Sequence, residues 1–480
     1  MLELHSFYID GDWVAPADLT LREVIDPSTE SVIATLALGG EADTDRAVAA
    51  AKAAFPGWSS APLETRLAAL ERLVAAYERR SDELGGAISL EMGAPIDMAK
   101  TSQVGAGIVH LRNFIEVARR FEFEGWLQDG DTTHRVVKDP IGVCGLITPW
   151  NWPMNQILLK VTPALLTGCT VILKPSEVSP LSGQIFAEMV HEAGFPAGVF
   201  NMLHGDGTGV GSRLTAHPDV DMISFTGSTR AGIAISRNAA GTVKRVSLEL
   251  GGKGANILFP DADEAAVERG LRSCFYNSGQ GCNAPSRMFV HRDIYDRTVD
   301  RAARIASQFA VRPASEPGDH LGPVVSERQF DHIQRMIAEG IAEGARLVAG
   351  GLGRPDGLQR GYFVRPTVFA DATNQMAVAR VEIFGPVVTI IPFETEDEVI
   401  AMANDTVYGL TNYVQTQDMS RARRVARAMR AGMVEINGVG RSLNTPFGGF
   451  KQSGNGREGG RFGIEEFLEV KAISGWSAAS

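Results

Sequence analysis

The sequence is poor in cysteine, with four among its 480 residues. These four form no C-x-x-C pair and no cysteine/histidine spacing typical of zinc ligands, and they are too few for a disulfide framework. We therefore expect no structural disulfide and no metal site.

The sequence also lacks a run of basic residues. Its formal net charge is −11, whereas proteins that bind nucleic acid carry a basic stripe for the phosphate backbone. Nucleic acid is therefore not expected as a partner.

Long apolar runs are missing as well. The longest, such as "PALLTGCTVIL", contain turn formers and are shorter than the roughly 18 residues that a membrane span needs. The start, "MLELHSFYIDGDW", has no basic segment followed by an apolar core, as a signal peptide would. With 44% hydrophobic and 21% charged residues, the chain has the composition of a globular protein, and we expect a cytoplasmic enzyme with no membrane partner.

What the sequence does contain is a change of pattern along the chain. Helical periodicity dominates the first 121 residues, as in "LETRLAALERLVAAYERRSDEL". Between residues 134 and 260, short β-rich runs such as "TVILK" and "DMISF" alternate with helical segments, which predicts a parallel, doubly wound sheet. The alternation restarts after Gly251, and this predicts a second α/β domain.

One cysteine lies in an unusual place. Cys144, Cys169 and Cys274 lie in apolar or helical runs and are expected to be small core residues. Cys282 instead lies in "NSGQGCNAPS", a loop composition in which a free thiol needs a functional explanation.

Two strand ends have the residues of a dinucleotide site, although the usual G-x-G-x-x-G is absent. Gly227 and Ser228 follow the strand "DMISF" and begin a helix, where backbone N–H groups favour a phosphate. Lys174 ends "TVILK", and Glu177 follows where a carboxylate can bind ribose hydroxyls. Taken alone, each pattern is also consistent with an ordinary turn or a solvated ion pair.

Two further residues could serve a reactive thiol. Glu249 ends the strand "VKRVSLEL", where burial could raise its pKa for use as a general base. Asn151, after another strand end, could donate to a developing oxyanion. A structural carboxylate and a turn asparagine remain the alternatives.

Seven segments together resemble the aldehyde dehydrogenase superfamily along nearly the whole chain: "PWNWP", "LKPSE", "FTGST", "LELGGK", "NSGQGCNAPSR", "EIFGPV" and "PFGGFKQSGNGREGG". The resemblance implies an α/β fold with two doubly wound domains, a Rossmann-like cofactor domain and a catalytic domain, plus a small β oligomerisation arm. It assigns residues 1–118 and 140–250 to the first domain, 251–448 to the second, and 119–139 and 465–480 to the arm. A homodimer or homotetramer is expected.

The resemblance also implies the roles of the site residues. Cys282 is the expected nucleophile that forms a thiohemiacetal and then a thioester. Asn151 belongs to the oxyanion hole, Glu249 activates the water that releases the acid, and Lys160 and Glu458 form the pair behind Glu249.

The implied cofactor is NAD. The resemblance places Trp150 and Lys174 around the adenosine, Glu177 at its ribose and Gly227 with Ser228 at the pyrophosphate; Glu382 and Phe384 are implied on the nicotinamide side. Glu177 should repel a 2′-phosphate and so favour NAD over NADP, but NADP stays open because family members with this glutamate can use it.

The substrate channel shows one departure from the family pattern. "EINGVGRSLNTPFGG" places Arg441 or Gly440 where many relatives have an aromatic residue. An arginine there could pair with a substrate carboxylate, or it could point to solvent. Trp152, Asn155, Gln156 and Tyr276 are implied to line the same channel, and this mixture does not identify the aldehyde.

Three other functions stay open at this stage. A CoA-acylating enzyme of the same fold has no need of a water-activating Glu249. A cysteine hydrolase would act without a dinucleotide, and a structural protein of this fold would have no activity.

Overall fold

The computed structural model describes residues 1–476. Within them it has the mixed α/β architecture that the sequence predicts. No helix in this part of the chain is both long and apolar enough to cross a membrane. The last four residues of the predicted arm, 477–480, lie outside the described residues.

The amino-terminal segment begins with strands, so the prediction that helices dominate the first 121 residues was wrong for the first 38. The strands are short or half exposed, and their weak alternation hides them from a periodicity argument. The elements are β1 (Leu2–Leu4), β2 (Phe7–Ile9), β3 (Asp12–Val14), β4 (Thr20–Asp26), β5 (Ser31–Leu38), α1 (Glu41–Ser59), α2 (Leu63–Arg79), α3 (Ser81–Met92), α4 (Ile96–Met98), a π-helical turn (Ala99–Gln103) and α5 (Val104–Ala118).

The next segment alternates strand and helix as predicted. Its elements are β6 (Glu124–Asp129), β7 (Thr132–Pro140), β8 (Val143–Ile147), α6 (Pro153–Thr167), β9 (Thr170–Lys174), α7 (Pro180–Ala193), β10 (Phe200–Met202), a π-helical turn (Gly207–Gly211), α8 (Ser212–Ala216), β11 (Met222–Thr226), α9 (Thr229–Ala239) and β12 (Arg245–Glu249).

The remaining elements follow Gly251. They are β13 (Ala255–Leu258), α10 (Ala266–Phe275), a 3₁₀ turn (Tyr276–Gly279), β14 (Arg287–His291), α11 (Tyr295–Ala306), α12 (Glu327–Ala342), β15 (Arg346–Ala349), β16 (Thr367–Ala370), α13 (Ala377–Arg380), β17 (Val387–Phe393), α14 (Glu396–Asn404), β18 (Thr411–Gln415), α15 (Met419–Ala428), β19 (Met433–Ile436), α16 (Gly460–Glu465) and β20 (Leu468–Ser474); single 3₁₀ turns lie at Ala240–Thr242, Arg292–Ile294 and Lys451–Ser453.

Two seven-stranded sheets organise these elements. The first has the order β12-β11-β8-β9-β10-β2-β3, and its strands from β12 to β10 are parallel. The second has the order β15-β16-β17-β14-β13-β18-β19 and is parallel from β16 to β19. The parallel strands are largely buried, as sheets covered on both faces require.

Two small sheets lie beside the large ones. One is the sheet β1-β5-β4, and the other is the antiparallel sheet β20-β7-β6. In the second, Leu468 to Ser474 pair with His134 to Pro140. The carboxyl-terminal strand is therefore an edge of a sheet formed by its own chain.

Helix α6 connects this architecture to the site. Pro153 occupies its first turn, where a missing N–H costs nothing, and Gly168 ends it in a left-handed conformation (φ 101°). All but one of its fifteen residues are buried, so it is an internal helix that holds Gln156 and Lys160 rigidly against the sheet.

Candidate active site

Four strand ends of the first sheet meet at one edge. Strands β9, β8, β11 and β12 are parallel neighbours, so their carboxyl ends lie side by side. Glu177 follows β9, Asn151 follows β8, Ser228 follows β11, and Glu249 ends β12. The fold thus gathers at one edge four residues that are distant in sequence.

The cysteine loop faces this edge in a strained conformation. Asn277 and Ser278 have φ near +55°, which is uncommon for residues other than glycine and is often maintained at functional sites. The Asn277 side chain donates to the Asn151 carbonyl (3.0 Å), and the Ser278 hydroxyl donates to the Gly322 carbonyl (2.8 Å). These bonds fix the turn that leads to Cys282.

The main chain approaches Cys282 very closely. A Cβ on Gly252 would lie 2.3 Å from the Cys282 carbonyl oxygen, so no other residue fits there without a shift of the backbone. Close packing against Cys282 therefore requires a glycine at the second glycine position of "LELGGKG".

The side-chain amide of Asn151 contacts the cysteine loop. Its nitrogen donates to the Gln280 carbonyl (3.0 Å), two residues before Cys282. The backbone carbonyl of Asn151 accepts bonds from the side chains of Gln103 (3.1 Å) and Asn277 (3.0 Å). Gln280 is itself held because its side chain accepts from the Val325 N–H (2.9 Å). Asn151 is thus fixed from both sides next to the cysteine loop.

Cys282 as a whole residue is partly exposed, whereas Cys144, Cys169 and Cys274 are buried, as expected of core residues. Burial of the thiol, together with the nearby carboxylates of Glu382 and Glu249, raises the pKa of Cys282 to about 12. The resting thiol is therefore protonated at neutral pH.

Glu249 is 2% exposed, and neither carboxylate oxygen has a hydrogen-bond partner among residues 1–476. Burial and the neighbouring Glu458 raise the pKa of Glu249 well above its ordinary value, against the opposing effect of Lys160. A Cβ on Gly448 would lie 2.7 Å from one Glu249 oxygen. The Glu249 carboxyl group is therefore enclosed, and its raised pKa suits a general base.

Lys160 and Glu458 form an ion pair in the interior. Their amine nitrogen and carboxylate oxygen are 2.5 Å apart, and the side chains are 1% and 6% exposed. The Lys160 amine also donates to Ser224 (3.2 Å). The pair predicted to stand behind Glu249 is thus brought together by the fold.

A cleft of about 420 Å³ runs along the sheet edge to Cys282. Eight of the residues predicted to bind the cofactor or serve the reaction line it: Trp150, Asn151, Glu177, Gly227, Ser228, Cys282, Glu382 and Phe384. Ser228 caps α9 by accepting from the Ala231 N–H, so the helix N-terminus faces the cleft, as an anion requires. Thr226, also in the lining, has a buried hydroxyl with no partner in the described part of the chain. Carboxylate, hydroxyl and helix N-terminus together fit a dinucleotide.

Lys174 has a different position from the cleft-lining residues. It is 3% exposed, and its amine donates to the carbonyls of Gly205 (2.7 Å) and Pro175 (3.0 Å) and to Glu177 (3.3 Å). Lys174 thus supports Glu177 from the interior.

Glu382, Phe384 and Trp150 meet near the Cys282 end of the cleft. The Gly252 N–H donates to Glu382 (2.9 Å), and burial raises the pKa of Glu382 to about 7. The Trp150 and Phe384 rings are 5.4 Å apart and nearly perpendicular. Trp150, predicted at the adenosine, thus contacts a residue predicted on the nicotinamide side.

A second cavity, of about 860 Å³, also reaches Cys282. Trp152 and Tyr276 stack there with ring centroids 5.9 Å apart. All five side chains predicted for the substrate channel line it: Trp152, Asn155, Gln156, Tyr276 and Arg441. Cys282 therefore lies between two cavities, with access from both.

Sequence reasoning missed several residues that shape this site. Asn277 and Gln280 hold the cysteine loop, Thr226 lines the cleft, and Gly252 makes room for Cys282. The two glycines after Glu249 were a usable indication, whereas nothing in the sequence marks the left-handed turn at Asn277. No group of histidine, cysteine, aspartate or glutamate between residues 1 and 476 has an arrangement suited to a metal ion.

Comparison with known proteins agrees with this geometry. Residues 13–473 match the model of the aldehyde dehydrogenase family. The chain is 49% identical to a 3-succinoylsemialdehyde-pyridine dehydrogenase of Pseudomonas sp over the full length of both.

Solved structures show the same likeness. An aldehyde dehydrogenase from Bartonella henselae is 55% identical with a TM-score of 0.98, over 99% of this chain and all of that one. A mutant of aldehyde dehydrogenase C from Pseudomonas syringae, in complex with NAD+ and octanal, is 49% identical with a TM-score of 0.96, over 99% of this chain and 98% of that one. The chain therefore belongs to the aldehyde dehydrogenase family.

Proposed function

We propose that the protein oxidises an aldehyde to a carboxylic acid with NAD+ as the hydride acceptor, through a covalent intermediate on Cys282. The observation that carries this proposal is the position of Cys282 between two cavities, one with the groups suited to a dinucleotide and one lined by aromatic and amide side chains. The NAD+ and octanal complex of the Pseudomonas syringae relative supports it.

In the first step the Cys282 thiol releases its proton to solvent, and the resulting thiolate attacks the aldehyde carbon. A C–S bond forms, the C=O π bond breaks, and the carbonyl oxygen becomes the alkoxide of a thiohemiacetal. The amide of Asn151 and the backbone N–H of Cys282 are the donors we propose for this oxygen. In this role Asn151 exchanges its bond to Gln280 for one to the alkoxide.

Bound NAD+ would supply the acceptor for the hydride that leaves the thiohemiacetal carbon. Glu177, Gly227, Ser228, Glu382, Phe384 and Trp150 would hold it in the cleft, with Lys174 supporting Glu177. Collapse of the alkoxide to a carbonyl leaves a thioester on Cys282.

Glu249 then removes a proton from water, and the hydroxide attacks the thioester carbon. The C–S bond breaks, the carboxylic acid departs, and Glu249 passes its proton to the sulfur, which restores the resting thiol. The raised pKa of Glu249 makes it a stronger base than an exposed carboxylate. We propose that Lys160 and Glu458 adjust, through their charges, how strongly Glu249 holds this proton.

The CoA-acylating alternative is less well supported, because a thiol acceptor does not need an enclosed base such as Glu249. A cysteine hydrolase or a structural protein would not need a cleft that fits a dinucleotide, so neither alternative accounts for that cleft. The names of the relatives point to aldehydes of different chemistry, octanal and a pyridine semialdehyde, so we propose oxidation of aldehydes without assigning one of them.

The division of the chain remains part of the proposal. We assign cofactor binding to residues 1–118 and 140–250, catalysis to 251–448, and oligomerisation to 119–139 with 465–480. A cytoplasmic homodimer or homotetramer is the form we propose for the enzyme.

The testing experiment is NADH formation from a panel of aldehydes, with NAD+ and NADP+ compared side by side. We expect NADH from several aldehydes and a faster reaction with NAD+. Ester hydrolysis without any dinucleotide-dependent oxidation would favour the hydrolase instead.

A further inference from the structure

A smaller chamber of about 290 Å³ adjoins the cavity on the substrate side of Cys282. It is bordered by His110 of α5, Leu159 of α6 and the segment from Gly440 to Thr445. The two cavities share four lining residues: Asn155, Gln156, Arg441 and Phe447. A molecule in the larger cavity can therefore extend into the chamber.

The chamber has polar groups without partners. Gln156 is 4% exposed, and its Oε1 has no hydrogen-bond partner within the described chain. Nδ1 of His110 likewise has no hydrogen-bond partner within the described chain. Buried polar atoms of native proteins are nearly always hydrogen-bonded, because an unpaired one costs free energy. Both residues line the chamber, and the catalytic mechanism gives neither atom a partner.

The two charged side chains that line the chamber, Arg441 and Glu435, already pair with each other. Arg441 Nε donates to Glu435 (3.3 Å), and its guanidinium lies 4.6 Å from the Phe447 ring centroid. Burial and the nearby Arg441 lower the pKa of His110 to about 4, so that ring is neutral at pH 7. A substrate carboxylate would bring a second negative charge next to Glu435, and the two carboxylates would share the single guanidinium of Arg441. An uncharged polar group meets no such repulsion.

We propose that the chamber is a specificity site for an uncharged hydrogen-bonding group at the far end of the aldehyde, held by Arg441 and Gln156. Arg441 has further N–H groups besides the one on Glu435, and the amide of Gln156 can present either its nitrogen or its oxygen. This inference rests on the proposed function, since it takes Cys282 as the reacting atom.

Three aldehydes of nearly equal shape test the proposal: 4-oxopentanal, 4-methylpentanal and succinate semialdehyde. They end in a ketone, a branched alkyl group and a carboxylate, respectively. We expect kcat/KM for 4-oxopentanal to exceed the other two by roughly tenfold, the effect of one hydrogen bond to a charged group. Equal values for the three, or the highest value for succinate semialdehyde, would overturn the proposal.

Variants assign the preference to the chamber. Arg441→Met and Gln156→Leu should each reduce the ratio of kcat/KM between 4-oxopentanal and 4-methylpentanal by roughly three- to tenfold. The matched control is Arg272→Met, because Arg272 lines the larger cavity but not the chamber; its ratio should stay that of the wild type. Unchanged ratios in both chamber variants would contradict the proposal.

The two proposals fail in different ways. If the wild type oxidises 4-methylpentanal but shows no preference for the ketone, only the chamber assignment is wrong. If none of the three aldehydes yields NADH, the proposed function itself fails, and the chamber assignment with it.

Discussion

The amine of Lys160 lies 2.5 Å from the carboxylate of Glu458 in the protein interior. Both residues act on Glu249, whose pKa is raised by Glu458 and lowered by Lys160. The pair joins α6 to the segment just before α16, so it connects elements that are almost 300 residues apart in sequence. The third acidic group nearby is Glu249, whose carboxyl oxygens have no hydrogen-bond partner among residues 1–476.

Removal of Lys160 should destabilise the fold strongly. Lys160→Met leaves the Glu458 carboxylate buried without its partner, and breaking such a pair typically costs about 3–5 kcal/mol. We expect a corresponding drop in the free energy of unfolding, measured by urea denaturation at fixed protein concentration. The double variant Lys160→Met with Glu458→Leu should recover most of the loss. A single variant as stable as the wild type would show that the pair contributes nothing.

The pH dependence of the rate should report Glu249. A general base is active when deprotonated, and the pKa of Glu249 is raised, so kcat should increase as the pH rises through that pKa. Glu249→Gln should show a low and nearly flat profile with deacylation slowed by roughly 10²-fold or more. Glu249→Gln with the wild-type profile would remove Glu249 from the mechanism.

The buried Glu249 carboxylate should lower the free energy of unfolding of the wild type at high pH. A carboxyl group with a raised pKa in the folded state binds protons more tightly there than in the unfolded chain, so the free energy of unfolding falls as pH rises above about 4.3. Glu249→Gln should therefore be more stable than the wild type at pH 8, and the difference should shrink toward pH 5. Thermal unfolding at several pH values measures it. A variant less stable than the wild type at pH 8 would contradict the account.

Much of this arrangement could be predicted from the sequence, because strand ends are local features. Runs such as "TVILK" and "VKRVSLEL" are apolar and bounded by turn residues, and parallel neighbours bring their carboxyl ends together. The positions of Lys174 and Glu249 at strand ends follow from this pattern. The family resemblance then supplied roles that single residues could not.

What could not be predicted depends on contacts between distant segments. The pairing of Lys160 with Glu458 needs the path of the whole chain, and the left-handed turn at Asn277 needs the Asn151 carbonyl to hold it. The strands before residue 38 were missed because their exposed faces weaken the apolar alternation. The chamber beside Arg441 likewise forms only when α5, α6 and the 440–445 segment meet.

Alkylation of Cys282 should reveal its electrostatic surroundings. Its pKa is raised to about 12 by burial, Glu382 and Glu249, so iodoacetamide should react slowly at pH 7 and faster as the pH rises. Glu382→Gln removes one negative charge and should speed the reaction two- to tenfold, up to one pKa unit. Because the pKa of Glu382 is itself about 7, this difference should grow above pH 7.

The control for this measurement is Glu394→Gln, because Glu394 is exposed and lines neither of the two cavities that reach Cys282. It should alkylate at the wild-type rate. Slower alkylation of Glu382→Gln than of the wild type would show that Glu382 does not raise the pKa of Cys282.

Cofactor choice should depend on Glu177. Glu177→Gln removes the charge that would repel a 2′-phosphate, so kcat/KM for NADP+ should increase roughly tenfold while that for NAD+ changes much less. Initial rates with both cofactors and one aldehyde measure the ratio, and Glu264→Gln, at an exposed position, serves as the control. A ratio equal to that of the control would exclude Glu177 as the determinant.

The central claim is that Cys282 carries the acyl intermediate and Glu249 releases it. The most direct measurement is mass spectrometry of Glu249→Gln after incubation with hexanal and NAD+, with Cys282→Ala and the double variant as controls. The account predicts one added acyl group on the peptide that contains Cys282, formed only when NAD+ is present and absent from both controls. An unmodified Cys282 peptide in Glu249→Gln that nevertheless forms NADH, or NADH formation by Cys282→Ala at the wild-type rate, would contradict it.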